Sequence, residues 1–443
     1  MRLNNSVFAI MAALAAFTAH AADDWPAFRG PDGQGHSAAT ALPVVWSEQQ
    51  NIAWKSAVPG AGWSSPVISD GEIWLTTAIE AEFPDAGTAP SLFDYRSATP
   101  APGTHISPKP ISMRALCFDL ASGTLKRNIE VFFIKQPGNI QDRNTYATPS
   151  PVIEKGGVYV HFGTYGTAAI STSDGKVVWR NQDLKLEHAN GPGGSPALYK
   201  DKLLICCDGW DAQYIVALNK ATGQIAWKTD RSAPMPTTLD GKQAYGTPLI
   251  INTGGTDQVI TVAANAVYGY EPDTGKELWQ LRYKGYSNAA QPVYDGKLLF
   301  ICTGDPFHEM LAFQAGHGVL GNDKIVWRNK VQIPRQSSPV LSDNRLYMLS
   351  DSGVARCLDA TSGREFWRQH LASDVAPSLL AAAGKIYLFD ASENATVIED
   401  SDTLKLFAKN KLDDGCMASP AVVGNSLIIR TKKNLYRIQI KAR

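Results

Sequence analysis

Apolar residues in this chain fall in short runs set apart by turn-forming residues, and the order of those runs repeats. One unit reads Ser195-Pro196-Ala197, Leu203-Leu204-Ile205, Ile215-Val216-Ala217-Leu218-Asn219, Thr222-Gly223 and Ile225-Ala226-Trp227-Lys228. Another reads Ser338-Pro339-Val340, Leu346-Tyr347-Met348, Ala355-Arg356-Cys357-Leu358-Asp359, Ser362-Gly363 and Phe366-Trp367-Arg368. Further copies begin at Pro66, Pro151, Pro248, Pro292, Pro377 and Pro420, which makes eight starts. Four short β-rich runs per copy, divided by turns, predict one propeller blade each. Asp119, Asn219 and Asp359 open turns whose glycines supply a left-handed residue. Four residues after most of those glycines stands a tryptophan, placed on the outer strand to cover the seam between blades.

The eighth copy ends at Leu435-Tyr436-Arg437-Ile438 without an outer strand, while Asn51-Ile52-Ala53-Trp54-Lys55 nearly copies Gln224-Ile225-Ala226-Trp227-Lys228. The expectation is an all-β, eight-bladed β-propeller closed by an N-terminal strand that completes the last blade. Residues 80–110, rich in Pro, Ala, Ser and Thr, form an insertion in blade one between its second and third strands. The propeller then occupies 51–443, preceded by an N-terminal segment over 22–50.

Residues 1–21 read as a cleaved signal peptide. Arg2 is followed by a short apolar stretch, Val7 to Phe17, and by Ala19-His20-Ala21. No cysteine lies near the cleavage point, so no lipobox is present, and no later apolar run is long enough to anchor the mature chain. A periodic pattern of this kind with an export signal predicts a periplasmic or secreted monomer. The 42 basic and 42 acidic residues cancel, and no basic stripe stands out, which argues against nucleic acid as a partner. Six cysteines are present, but their positions follow the repeat rather than a disulfide framework. Cys117 and Cys357 hold one repeat position, and Cys207 is aligned with Cys302.

The x-A-L-D-x-x-T-G-x-x-x-W signature resembles the PQQ-like, or quinoprotein-type, propeller repeat. The segments Trp25-Pro26-Ala27-Phe28-Arg29-Gly30-Pro31-Asp32-Gly33-Gln34-Gly35 and Gly60-Ala61-Gly62-Trp63-Ser64-Ser65-Pro66 are similar to those of a bacterial branch of that family. The resemblance spans residues 24–440 and implies the fold more than an activity. Its relatives include BamB, a binding scaffold of outer-membrane assembly, and PQQ-dependent alcohol and polyvinyl-alcohol dehydrogenases, which imply PQQ with calcium in the central funnel. The dehydrogenases' calcium ligands and catalytic aspartate find no matching positions here.

Two sets of residues are candidates for a site. Cys206 and Cys207, with Trp210 and Asp211 after them, resemble the adjacent-cysteine pair of the quinoprotein dehydrogenases, which implies contact with a cofactor. The alternative is strand alternation, one thiol buried and its neighbour turned the other way. The second set lies where the connections into each blade and the loops between second and third strands gather around the axial mouth. It comprises Trp63, Arg143, Tyr146, Tyr165, His188, Tyr245, Asn288, Asp305 and Arg335. Aromatic, amide and charged groups in that mixture suit a glycan, a peptide or a small polar molecule. No catalytic constellation and no metal-ligand spacing emerges. The reading that results is a binding or scaffold propeller with an unidentified protein or glycan partner and no expected cofactor. A quinoprotein dehydrogenase and a polysaccharide-binding protein are the alternatives.

Overall fold

The computed structural model describes residues 24–82, 103–107 and 109–440. The proposed signal peptide and the centre of the insertion lie outside these residues. Eight four-stranded antiparallel units are arranged as the blades of a propeller, each running from an innermost strand beside the axis to an outermost one. Blade one, for example, uses Val67–Ser69, Glu72–Glu80, Ile111–Asp119 and Leu125–Ile134. The ring closes as expected. Ile52–Ala57 pairs antiparallel with Asn434–Gln439 and becomes the outer strand of blade eight.

Blade seven starts two residues later than the Pro377 alignment predicts. Ser378 holds the position of the serine before proline elsewhere, and the innermost strand is Leu380–Ala382. The cysteine alignment also changes. The innermost strand pairs Ala197 with Leu204 and Val293 with Phe300. Cys206, not Cys207, is therefore level with Cys302, because pairing and not the end of an apolar run sets the register.

Four blades are docked on the next by one device. The indole Nε1 of Trp54, Trp179, Trp227 and Trp327 donates to the backbone carbonyl of Leu120, Lys220, Pro272 and Ala360 in the following blade, at 2.7–3.1 Å. Each ring lies over the turn glycine there. A Cβ at Gly123, Gly223, Gly275 or Gly363 would sit 2.3–2.6 Å from the indole, so glycine serves both the left-handed turn and the stacking. Trp279 departs from the pattern. Between its third and fourth strands blade five carries no Thr-Gly turn, and Trp279 is fully buried, with Nε1 bonded to Gln258 of its own blade at 2.8 Å. Gly318–Leu320 lies parallel along the outer edge of blade four and covers it, which shields an edge otherwise open to pairing.

Residues 24–50 cross the base of the ring. Trp25 exchanges backbone bonds with Ile68 of blade one, and Pro26 O accepts from Ile153 N of blade two. Gln34 Oε1 accepts from Tyr294 N of blade five at 2.6 Å. His36 reaches Leu341 O of blade six, and His36–Ser37 pairs parallel with Ala381–Ala382 of blade seven. The segment closes one end of the axial channel.

Candidate functional site

The open end of the axis is a funnel of about 400 Å³ with Phe28, from the crossing segment, on its floor. Its wall is a ring of hydroxyls from the blade starts. The backbone N–H of Ser65 donates to Ser150 Oγ, and the same step runs Ser150 to Ser195, Ser195 to Thr247, Ser338 to Ser378, Ser378 to Ser419 and Ser419 to Ser65. Gln291 N donates to Ser338 Oγ, while Gln291 itself interrupts the ring between Thr247 and Ser338. These bonds are 2.8–3.1 Å long, and they explain why a serine so often precedes the blade-start proline. A buried hydroxyl that accepts an N–H from the neighbouring blade satisfies both groups and fixes the ring's diameter.

Above the ring, five of the expected residues line the funnel: Trp63, Arg143, Tyr245, Asp305 and Arg335. Trp63 Nε1 donates to Arg143 O at 2.9 Å. Tyr245 is set by its N–H on Asn288 O at 2.7 Å and by its hydroxyl on Gln243 Oε1 at 3.0 Å. The two arginines are held by carboxylates. Arg143 pairs with Asp374 from the connection into blade seven. Arg335 Nη1 lies 3.6 Å from Asp305 Oδ1 and its Nε 3.5 Å from Asp351 Oδ2. All of these side chains are partly exposed, so the pairs are weak and can be exchanged for a ligand's acceptors.

Four other expected residues stand behind this wall. Tyr146 and Tyr165 are buried, meet edge to face at 5.9 Å, and clasp Gly138: Tyr146 Oη donates to its carbonyl and Tyr165 Oη accepts its N–H, each at 2.8 Å. They hold the loop that carries Arg143. Asn288 is buried and donates to Cys302 O at 3.1 Å. His188 lies edge-on to Tyr245 at 6.3 Å and accepts from Gly191 N at 3.1 Å.

None of Cys206, Cys207, Trp210 and Asp211 lines the funnel. Cys206 pairs across the strand with Ile215 and Cys207 with Tyr214, so the two side chains take opposite faces. Both thiols are free, and burial pushes that of Cys206 up to about 12. Asp211 Oδ1 accepts from Glu187 N at 2.8 Å and Trp210 N donates to Glu187 O at 2.6 Å. These two residues fasten a loop. The residues that sequence reasoning missed are Phe28 and the hydroxyl ring. The recurrent serine before proline was the available signal for the ring.

Beside the funnel wall, His161 is 5% exposed and bonds Thr167 Oγ1 at 2.8 Å. Burial, with His188 nearby, lowers its pKa to about 4. The unfolded chain therefore binds a proton that the fold excludes, and the stability His161 contributes above about pH 6.5 is lost as pH falls towards 4. We expect the loss to be on the order of 1–3 kcal/mol and the pH dependence of the unfolding midpoint to be shallower in His161→Asn. Parallel curves for the two proteins would refute the assignment.

A sequence profile described as outer membrane protein assembly factor BamB matches residues 141–238, 211–321 and 320–441. The outer membrane protein assembly factor BamB of Pseudomonas aeruginosa is 26% identical over 115 residues, which cover 24% of this chain and 30% of the relative. The chain therefore matches less than a third of that relative's length. The crystal structure of BamB from Moraxella catarrhalis superposes with a TM-score of 0.50 at 17% identity, over 65% of this chain and 80% of that one. A europium-containing methanol dehydrogenase gives 0.63 at 12% identity over 92% and 89%. Quinohemoprotein alcohol dehydrogenase from Comamonas testosteroni gives 0.60 at 12% over 95% and 81%. At these identities the solved structures share a fold with this chain, and the fold alone leaves the activity open.

Proposed function

The chain belongs to the family described as outer membrane protein assembly factor BamB, and from that premise we propose that it is an exported, non-catalytic binding propeller. Its axial funnel takes a small polar ligand or the tip of a partner chain. The observation that carries this reading is the funnel itself. It is closed below by Phe28, walled by hydroxyls, and crowned by Trp63, Tyr245, Arg143 and Arg335. Aromatic and arginine side chains around a concavity of this size are the groups that contribute most to binding.

The dehydrogenase reading draws on the solved structures. A quinone–calcium pair would need several oxygen donors at one point. Among the described residues no group of three or more acidic, His or Cys side chains is placed to hold a metal ion. Asp305 is the one acidic side chain among the described residues lining the funnel. The donor set does not fit that pair, and binding without chemistry is the reading the side chains support.

Export through Val7 to Phe17 is part of the proposal. No helix among the described residues is long and apolar enough to cross a membrane. N-terminal sequencing of the mature protein, expected to begin at Ala22 or Asp23, tests this step. For the site, thermal-shift screening of the full chain against oligosaccharides, short peptides and PQQ with calcium is the direct experiment. A saturable peptide or glycan ligand is expected, its affinity falling at least about tenfold in Arg143→Ala/Tyr245→Ala. Saturable PQQ–calcium binding sensitive to the same variant would overturn the proposal.

A further inference from the structure

Arg29 lies in the segment that crosses the base of the ring and is 2% exposed. Its backbone is left-handed, with φ 65°, and its carbonyl accepts from Gly35 N at 2.9 Å. That turn aims the side chain inward. Nη2 donates to Gln34 O at 2.7 Å and to Pro339 O of blade six. Nε and Nη1 are buried and have no partner, which leaves three of the guanidinium's five N–H groups without an acceptor. Gly35 leaves room for this group: a Cβ there would sit 2.9 Å from Nη2 and 3.3 Å from Nε.

Among the described residues no ion pair holds the guanidinium. Asp32, whose charge favours the Arg29 cation, is exposed and committed to His36 Nδ1 and Gln34 N. Burial lowers the pKa of Arg29 only to about 10, so the group stays a cation at neutral pH. The wall around it repeats the deficit. The Cys302 thiol of blade five, pushed up to about 12 by burial and so neutral, brings no compensating charge. On these same two blades Ser337 Oγ, Gln291 Oε1 and Asn288 Oδ1 are also buried without partners. Asn288 Nδ2 bonds Cys302 O, Gln291 Nε2 bonds Pro248 O of blade four and Gln291 N bonds Ser338 Oγ of blade six, so these atoms are spread along the seams on both sides of blade five.

A buried cation costs several kcal/mol unless an opposite charge accompanies it. Buried polar atoms without partners in a native protein call for an ion or water. We propose that Arg29 holds an inorganic anion of halide size between the crossing segment and blade six, at its unpartnered Nε and Nη1. Water alone would satisfy the donors but would leave the charge uncompensated. Arg29 is not among the residues lining the funnel, so the site is separate from the funnel ligand's and ties the closure of the channel to the anion content of the surroundings.

Crystals of the full chain soaked in bromide test this without altering the protein. An anomalous peak within hydrogen-bonding distance of Arg29 Nε or Nη1 is expected, and its absence from well-occupied data would overturn the proposal. In solution, the unfolding midpoint is expected to rise by about 2 °C per tenfold increase in chloride over gluconate at constant ionic strength. That dependence should vanish in Arg29→Met. Equal midpoints in the two salts would show that water alone fills the site, and a bromide peak that persists in Arg29→Met would show that other groups hold the anion; either result overturns the proposal. If Arg29→Met does not fold, the bromide experiment on the unaltered chain decides.

Discussion

Asp208→Ala is expected to lower the stability of the protein by about 3–5 kcal/mol, with the unfolding midpoint in denaturant shifted accordingly. Asp208 and Arg231 form a bidentate pair, Nε to Oδ1 at 2.9 Å and Nη2 to Oδ2 at 2.8 Å, with both side chains at 0% exposure. Arg231 Nη1 continues into blade four, to Thr261 Oγ1 at 2.7 Å and Tyr270 Oη at 3.1 Å. The guanidinium also faces the rings of Tyr268 and Tyr270, at 5.1 and 5.7 Å. Removing the carboxylate leaves this cation enclosed and unpaired, which is why one substitution costs more than the pair is worth. Asp208→Leu/Arg231→Met, which removes both charges, is expected to recover much of the loss. A single variant that melts within about 1 kcal/mol of the parent would show that water reaches the pair and that blades three and four are joined by other contacts.

That pair marks where sequence reasoning stopped. Cys206, Cys207, Trp210 and Asp211 stand out as rare residues close together, yet the residue among them that organises the region is Asp208. Its partner is 23 positions away, and nothing in a repeat that varies at this position announces the pairing. The blades were legible because most share a local pattern: a serine, a turn glycine and a tryptophan at fixed offsets, usually explained by a contact to the next blade. The closing strand was legible because Ile52–Ala57 repeats the outer-strand motif at the wrong end of the chain.

The funnel was legible by level but not by direction. Connections into the blades do gather at its mouth, and Trp63, Arg143, Tyr245 and Arg335 face it. Tyr146, only three residues from Arg143, turns into the core to clasp Gly138 with Tyr165. Which way a rim side chain points depends on the packing of a non-repeating loop, and that information is not in the period. The crossing segment was hidden for a related reason. It has no repeat of its own, and its contacts are made with partners hundreds of residues away, such as Gln34 with Tyr294 and Trp46 with Asn410.

Trp46→Ala tests what this segment does. Trp46 is 2% exposed and lies against Tyr387 and Phe389 of blade seven, with ring centroids at 6.5 and 6.3 Å. Asn410 grips the backbone on both sides of it, accepting from Trp46 N at 2.8 Å and donating to Val44 O at 2.9 Å. Six residues further on begins Ile52–Ala57, the strand that closes the ring. Loss of the indole leaves a cavity that two rings cannot fill, at a cost of about 3–5 kcal/mol, and it falls at the anchor that holds the crossing segment beside that strand. Limited proteolysis is therefore expected to cut between residues 24 and 50 much sooner than in the parent, before the blades are attacked. Val45→Ala, next to it and 47% exposed, should change stability by less than about 0.5 kcal/mol and leave the cutting rate alone. Should Trp46→Ala unfold as the parent does and resist cleavage there, the segment is held by its strand pairing with blade seven, and the indole merely rests on the blade.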